Sequence, residues 1–349
     1  MNTDMILEYL NTYNEEELFY KEYQNQKRNS QNFQHYLSSL DITEIQDRHL
    51  IIPELQPAII PRLMQDSEYF AAASDKSVYL SKHNRYTPAF LHTHVFFEII
   101  YVLSGSCHHH VFHNDYLMTE GDLCLLSPSV THSIYVDDDS IVINILIRRS
   151  TIEEIFYNAL RGNSIISDFL ASSIYIKDYS TYLMFHTFSD NSVKEAILEM
   201  LVEQFQEDEY TDHIISGMLM LFFTKLVRKY KKTAEYPPTT KVSGKATNSI
   251  FNYMLEHSAS VTLSAIAEQM NYTVPYCSKY IKENTGYTYS QLLKKIRFQK
   301  AENYLLNSSL SISKISELLG YENTENFIRA FKKEYGISAT QFRTQKSAP

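Results

Sequence analysis

The sequence predicts an α+β multidomain protein, with a β-rich segment in its N-terminal half and an all-α region at its C-terminus. Three observations support this fold class. Short β-branched and aromatic runs, broken by Pro, Gly, Asn and Asp, fill residues 49–150, as is typical of a sandwich or barrel. Helix-period patterns dominate the remainder, and one helical unit occurs twice near the C-terminus. The 349 residues allow two or three domains.

We expect five segments along the chain. Residues 1–48 are predicted to be a helical extension. Residues 49–150 carry the candidate strands HLIIPEL, SVYLS, FFEIIYVLSG, HHHVFH, DLCLLS and SIVINILIR. Residues 151–232 are predicted to be mostly helical, and their apolar run IISGMLMLFF is buried either within the chain or against a second subunit. Residues 233–247 have the Pro, Gly, Ser and Thr content of a linker, and residues 248–349 follow as a helical domain.

The composition argues against secreted and membrane classes. Hydrophobic residues make up 44% of the chain and charged residues 21%, which is enough apolar material for globular cores. The three cysteines show no metal-type pairing and fit a reducing compartment. No secretory signal is visible, and the most apolar run is shorter than the roughly 20 residues that span a bilayer. We therefore expect a cytoplasmic protein with no membrane partner.

The charge is unevenly distributed. Residues 241–349 contain 14 Lys+Arg and 8 Asp+Glu, a net of +6, within a chain whose net charge is −9. The rest of the chain therefore carries −15. This polarity indicates an acidic body joined to a module that meets a polyanion, and ordinary scatter is the alternative explanation.

The repeated unit reads as helix, tight turn, helix. LSAIAEQMNY (263–272) aligns with ISKISELLGY (312–321), and the match continues with one extra residue as far as Gly286 and Gly336. The second helix of the first unit is predicted to begin near Thr273, a good N-cap residue, and both glycines are placed to end their helices. The buried stripes are predicted to contain Leu263, Ile266, Ala267 and Met270 in one unit and Ile312, Ile315, Leu318 and Leu319 in the other.

The outward faces of the two second helices have the chemistry of a DNA reader. A short helix with small, polar and basic side chains can enter a major groove, while neighbouring cations meet phosphates. Two hairpins packed for structure only are the alternative. The candidate base-reading residues are Val274, Pro275, Ser278, Lys279, Thr324, Glu325, Asn326, Ile328 and Arg329, and the candidate phosphate contacts are Lys282, Lys332 and Lys333.

Residues 246–345 resemble the DNA-binding domain of AraC/XylS-family transcription regulators. The resemblance is carried by TLSAIAEQMNYTVPYCSKYIKENTGYTYSQLLKKIRFQKAENYLL and SISKISELLGYENTENFIRAFKKEYGISATQFR. It implies a tandem helix-turn-helix domain whose two units meet successive major-groove faces of double-stranded DNA. The chain departs from the family pattern at Asn271, Tyr321 and Ala339, and Asn at position 271 tolerates the left-handed conformation that Gly usually supplies there.

A second pattern lies in LHTHVFFEIIYVLSG (91–105). Strand parity places His92, His94 and Glu98 on one face, and buried ionisable groups of this kind need partners. With Gly105, the spacing resembles the first cupin motif, and GDLCLLSPSVTH resembles the second and supplies His132. The resemblance implies a cupin-like sensor barrel.

Three uses of this set remain open at this stage. His92, His94, Glu98 and His132 are a complete ligand set for a divalent metal. The same groups, with His108 and His110 on the next strand, can instead bind an organic effector. Alternatively, they bond one another and only stabilise the barrel.

The expected function is therefore a sequence-specific DNA-binding transcription regulator, controlled by a small-molecule effector, such as a sugar, in the barrel. The expected partners are promoter DNA, a second copy of the chain and, for an activator, RNA polymerase. No cofactor is required and no enzyme activity is expected. The alternative is a metal-binding cupin, metal-sensing or enzymatic, fused to a DNA-binding module. The effector, the operator and the choice between activation and repression stay open.

Overall fold

The computed structural model describes residues 2–29, 32–55, 63–70, 76–159, 165–175, 180–188, 190–235 and 244–346. The described residues form two compact units. The first unit contains the N-terminal helices, the strands and two later helices. The second contains the C-terminal helices, and α6 and α7, defined below, are divided between the units. The predicted α+β class with an all-α C-terminal domain is confirmed.

The N-terminal extension is helical, as predicted. Its helices are α1 (Thr3–Asn11), α2 (Glu15–Arg28), α3 (Phe33–Ser39) and α4 (Ile42–Asp47). Asn14 begins α2 with a reciprocal capping box, in which its side chain accepts from the backbone of Glu17 and the Glu17 carboxylate accepts from the backbone of Asn14. Helices α2, α3 and α4 pack around buried Tyr20 and Tyr23.

The β segment forms two antiparallel sheets and a short parallel pair. The five-stranded sheet has the order β10-β7-β4-β9-β2, the three-stranded sheet has the order β6-β5-β8, and β1 pairs with β3. One turn of helix, α5 (Asp66–Tyr69), lies between β1 and β2. The strands are β1 (Leu63–Met64), β2 (Val78–Lys82), β3 (Thr93–His94), β4 (Phe97–Ser104), β5 (Ser106–Val111), β6 (Asn114–Thr119), β7 (Asp122–Leu126), β8 (His132–Tyr135), β9 (Ile141–Ile147) and β10 (Tyr182–His186).

One apolar core draws side chains from both large sheets. Ile100 and Val102 of β4 pack in one buried cluster with Cys107 and Val111 of β5. Alternation along each strand directs every second side chain inward. Glu98 shares its face of β4 with Ile100, which packs in this core, so its carboxylate points to the inside of the β segment. The predicted continuous run from His92 to Ile100 is interrupted at residues 95–96, between β3 and β4.

Two of the strand assignments are corrected. HLIIPEL (49–55) forms no strand, because Leu50 and Ile52 pack as irregular chain into the helical cluster of the extension. Conversely, β10 lies within the segment predicted to be mostly helical, and it completes the five-stranded sheet beside β7. The helices of that segment are α6 (Arg149–Ala159), α7 (Ile165–Tyr175), α8 (Asn191–Gln204) and α9 (Thr211–Tyr230).

The C-terminal unit contains the repeated hairpins. Most of the predicted linker, residues 236–243, lies outside the described residues. The helices are α10 (Gly244–Glu256), α11 (Leu263–Gln269), α12 (Val274–Thr285), α13 (Tyr289–Asn307), α14 (Ile312–Leu318), α15 (Thr324–Tyr335) and α16 (Ala339–Lys346). Leu318 is exposed rather than buried, and Leu319 takes the core position beside Ile315. No helix in the described part of the chain has the length and apolarity needed to cross a membrane.

Candidate functional site

A cavity of about 340 Å³ lies in the first unit. Its wall contains three of the predicted site residues, His92, His94 and Glu98. The wall combines aromatic rings with many polar groups, as small-molecule sites do. The other lining residues are Tyr20, His49, Ile51, Met64, Tyr69, Tyr79, Ser81, Lys82, His83, Asn84, Thr87, Phe90, Phe96, Ile134, Asn144 and Leu146.

A backbone bridge brings the two sequence motifs together. The amide of His92 donates to the carbonyl of His132 at 3.0 Å, and the amide of His132 donates to the carbonyl of His92 at 3.0 Å. The two imidazole centroids are consequently 4.2 Å apart. His132 thus lies close to His92 and Glu98, as the resemblance of GDLCLLSPSVTH to the second motif implied.

His94 and Glu98 meet without a hydrogen bond. Nδ1 of His94 lies 2.6 Å from the carbonyl oxygen of Phe96, and a carbonyl can only accept, so Nδ1 carries the hydrogen. In the neutral ring Nε2 is then an acceptor, and it lies 3.3 Å from Oε2 of Glu98. Neither atom has a hydrogen-bond partner among the described residues. Two acceptors this close need a proton on His94, a cation, or a donor group from a bound molecule.

His132 approaches the same carboxylate oxygen from the other side. Its Nε2 lies 3.4 Å from Oε2 of Glu98, and its Nδ1 lies 3.3 Å from Nε2 of His109. Burial holds the pKa of His132 well below its usual value, and burial lowers the pKa of His109 to about 3, which favours the neutral form of both rings. Burial raises the pKa of Glu98, but the neighbouring histidines, His94 first among them, together lower it more, so the pKa of Glu98 is lowered overall.

Three of the predicted ligands form a compact set. One ligand atom each from His92, Glu98 and His132 lies within 4.8 Å of the others. His94 contacts the same carboxylate oxygen but lies outside this set. Neutral imidazoles, one carboxylate and unpartnered Nε2 and Oε2 atoms, as far as the described residues show, fit a divalent metal. The contact between Nδ1 of His132 and His109 orients that ligand as an outer partner would.

The structure places His108 and His110 outside the cavity wall. His108 is exposed on β5, and His110 pairs through Nδ1 with Asp115 at 2.7 Å on the same outer face. His109, between them, is fully buried beside His132. Cys107, His109 and Val111 alternate along β5 and share its inner face. The middle histidine of the run therefore faces the barrel interior.

Sequence reasoning missed two further polar groups of the cavity. Nε2 of His83 and Oδ1 of Asn144 are buried without a hydrogen-bond partner in the part of the chain that the structure describes. Burial lowers the pKa of His83 to about 4. Buried polar atoms are ordinarily paired, so an unpaired set around one cavity marks a place where a ligand donates or accepts. No spacing pattern linked these two residues to the His-x-His motif.

The N-terminal extension and the chain that follows it supply part of the cavity wall, through Tyr20 in α2 and through His49 and Ile51 after α4. The hydroxyl of Tyr20 accepts from the amide of Ile51 at 2.8 Å, which ties α2 to the chain after α4. The role of the extension was not readable from sequence, because its contacts with the barrel are long-range.

The second candidate surface lies on the second unit. We call the twelve-residue helices α12 and α15 the recognition helices. The side chains of Thr273 and Asn323, the residues that precede them, cap their N-termini. Of the twelve predicted DNA contacts, Thr324 is half-buried and the others are exposed. Gly286 and Gly336 end the helices with φ of 76° and 75°, and Asn271 adopts φ of 55° in the first turn, as predicted. The exposed set is Val274, Pro275, Ser278, Lys279, Lys282, Glu325, Asn326, Ile328, Arg329, Lys332 and Lys333.

Sequence reasoning also missed Tyr276. It is 51% exposed in the first turn of α12, and its ring packs edge-on against Tyr272 with centroids 4.8 Å apart. Position 276 corresponds to Asn326 in α15, which was predicted, so the internal repeat itself was the signal that could have identified it.

Two family models match the chain. An AraC-like ligand-binding domain matches residues 77–165, and a helix-turn-helix domain matches residues 266–345. The HTH-type transcriptional activator RhaS of Escherichia coli O1:K1 / APEC is 21% identical over 253 residues, which cover 72% of this chain and 86% of that protein. The uncharacterized HTH-type transcriptional regulator YtdP of Bacillus subtilis (strain 168) is 31% identical over 118 residues, which span only 15% of its own length.

Solved structures also resemble parts of the chain. The C-terminal domain of AraT, a response regulator from Geobacillus stearothermophilus, is 34% identical, covering 30% of this chain and 88% of that chain, with a TM-score of 0.29. Apo ToxT K231A from Vibrio cholerae strain SCE256 is 14% identical, covering 78% of this chain and 99% of that chain, with a TM-score of 0.34.

Proposed function

We propose, from the premise that the chain belongs to the AraC family of transcription regulators, that a small polar effector in the barrel cavity controls its binding to promoter DNA. One observation supports an effector in particular: several buried polar atoms around the cavity have no hydrogen-bond partner among the described residues. These atoms are Oε2 of Glu98, Nε2 of His94, Nε2 of His83 and Oδ1 of Asn144. Such a regulator works in the cytoplasm, where it reaches the chromosome.

The cavity chemistry favours a hydroxyl-rich molecule, such as a sugar. A hydroxyl both donates and accepts, so it can serve Glu98 and Asn144, which accept, and adjacent imidazoles in either tautomer. The rings of Phe90 and Phe96 offer flat apolar surface for the carbon skeleton. A volume of about 340 Å³ is the size of a small organic ligand.

Gel shifts on the upstream region of the gene itself, with and without each member of a panel of monosaccharides and sugar acids, test the proposal. We expect specific binding that weakens steeply with salt and that changes with at least one panel member. Asn144→Ala should abolish the response to that compound, and His108→Ala, on the outer face of β5, should retain it. The absence of a specific shift under every condition would overturn the regulator assignment.

A homodimer with paired half-sites is part of the proposal. Ile214 and Leu221 are exposed on one face of α9, and a Cβ added to Gly217, which lies between them, would meet nothing within 4 Å among the described residues. Two apolar side chains flanking a glycine allow a second helix to approach closely. Each protomer would then bring two recognition helices to DNA and, as an activator, contact RNA polymerase at the promoter.

A metal-responsive regulator is the second candidate, favoured by the compact set of His92, Glu98 and His132. A divalent metal bound there would supply a Lewis-acidic centre able to hold an oxygen of an effector. Elemental analysis of the protein purified without chelator decides between the two: stoichiometric metal that is lost in Glu98→Gln supports this candidate. Metal-free protein that still responds to an organic effector would rule out the metal-responsive regulator. The same result would rule out a metal-dependent cupin enzyme.

A further inference from the structure

The two recognition helices present different chemistry in their first turns. Both are twelve residues long and are capped at the same position, so their exposed residues correspond one to one. The first turn of α12 carries Val274, Pro275 and Tyr276, and the first turn of α15 carries Thr324, Glu325 and Asn326. One turn is dominated by apolar surface, and each residue of the other carries a hydrogen-bonding group.

The first turns of α12 and α15 lie where a helix-turn-helix protein contacts bases, so their different chemistry bears on base preference. In helix-turn-helix proteins, residues near the start of the second helix meet base edges in the major groove. Val274 is 40% exposed and Tyr276 is 51% exposed. The C5-methyl group of thymine is the apolar group on a base edge in that groove, and apolar side chains contact it.

Packing fixes the orientation of Tyr276. Its ring lies against Tyr272 edge-on and 6.1 Å from the ring of Tyr280. An aromatic side chain that is already held by two others loses little conformational entropy on binding. The free energy of its contact with a methyl group is therefore not offset by an ordering cost and adds to the affinity.

In α15 the residue equivalent to Tyr276 is Asn326, and it forms a polar pair with Arg329. Nη2 of Arg329 donates to Oδ1 of Asn326 at 2.7 Å, and both side chains are exposed. A planar guanidinium matches O6 and N7 of guanine, which is the commonest specific contact in protein–DNA complexes. The second turn differs less, since Lys279 and Arg329 are equivalent cations and Ile328 replaces Ser278.

We infer that α12 reads thymine methyl groups and that α15 reads guanine, so the operator of this protein has two unlike sub-sites, one turn of DNA apart. The inference rests on the proposed DNA-binding function and deepens it. It assigns base preference to Val274 and Tyr276 in one sub-site and to the Asn326–Arg329 pair in the other.

Base analogues in a selected operator test this assignment. The full-length chain first selects its site from a random duplex pool. The site is then remade with deoxyuridine replacing one thymidine at a time, which removes only the methyl group, or with 7-deazaguanine replacing one guanine, which removes only the N7 acceptor. Affinities are measured for the wild type and for variants.

We expect deoxyuridine in one sub-site to weaken binding about fourfold for each contacted methyl, equivalent to about 0.8 kcal/mol. Val274→Ala with Tyr276→Ala should lose this sensitivity. We expect 7-deazaguanine to act in the other sub-site, and Arg329→Ala should lose that sensitivity. Leu306→Ala, which removes an exposed aliphatic side chain from α13, is the matched control and should retain both.

Specific binding that is insensitive to deoxyuridine throughout the operator would overturn the inference and leave the proposed function standing. The inference also fails if the α12 variants lose the guanine preference while Arg329→Ala loses the thymine preference. A pool without any enriched sequence would overturn the proposed function itself, and the inference with it.

Discussion

Glu17 and Arg85 form a two-pronged ion pair inside the first unit. Nε of Arg85 donates to Oε1 of Glu17 at 2.8 Å, and Nη2 donates to Oε2 at 3.0 Å. Lys82 adds a bond from Nζ at 2.7 Å. Glu17 is fully buried, and Arg85 is 2% exposed. The buried ion pairs of Glu17 with Arg85 and Lys82 therefore link the extension to the barrel.

We predict that Glu17→Gln destabilises the protein by about 3–5 kcal/mol, because two buried cations lose their counter-charge. Burial opposes the charge of Glu17, but hydrogen bonds from Arg85 and Lys82 outweigh it and lower its pKa. The stability due to this lowering is therefore present above the usual Glu pKa and is lost as pH falls through the lowered pKa of the folded state. Urea denaturation at pH 7 and at acid pH measures both effects.

Glu44→Gln is the matched control for this prediction. Glu44 pairs with Arg48 at 2.9 Å on the surface of α4, and such pairs contribute roughly 0–1 kcal/mol. Equal losses in the two variants would contradict the structural role given to Glu17.

We predict that Gly320→Ala destabilises the second unit more than Gly336→Ala. Both glycines have left-handed backbone, with φ of 76° and 75°, which costs about 1–2 kcal/mol for alanine. A Cβ on Gly320 would also lie 1.8 Å from the backbone carbonyl oxygen of Ala259, whereas a Cβ on Gly336 would meet no described atom within 4 Å. Thermal unfolding of the two full-length variants should rank them in this order, and a reversed ranking would contradict it.

We predict that Arg329→Ala and Lys332→Gln weaken DNA binding in different ways. Loss of a base contact at Arg329 should cost roughly 1–3 kcal/mol on the operator and relax specificity. Loss of a phosphate contact at Lys332 should weaken all sequences alike and reduce the salt slope by about 1. Titrations of operator and random DNA at several salt concentrations separate the two, and the same behaviour from both variants would contradict the assignment. Lys279→Ala is expected to behave like Arg329→Ala.

We predict that Ile214→Glu with Leu221→Glu converts a dimer into a monomer, because charges would replace the apolar face of α9. Sedimentation velocity measures the change. Leu117→Glu, at a leucine that is 61% exposed on β6, should leave the dimer intact. A dimer that survives the double substitution would place the interface elsewhere. A wild-type protein that is monomeric at all concentrations would remove the proposed dimer.

The sequence by itself determined the features that local spacing encodes. The repeat of LSAIAEQMNY and ISKISELLGY identified two helix-turn-helix units, because each contains its own apolar stripe, cap residue and terminal glycine. The same locality placed Glu98 on the same face of β4 as Ile100, since the period of a strand is two.

The tertiary structure decided what depends on contacts between distant segments. His109 rather than His108 or His110 lies beside His132, because the pairing of β5 with β8 sets which face turns inward. Strand β10 joins the barrel by pairing with β7, a strand far away along the chain. Tyr20 and His49 reach the cavity because the Glu17–Arg85 pair holds α2 against the barrel. Local pattern cannot encode such choices, since the hydrogen bonds and burial that stabilise them form only when the whole unit is assembled.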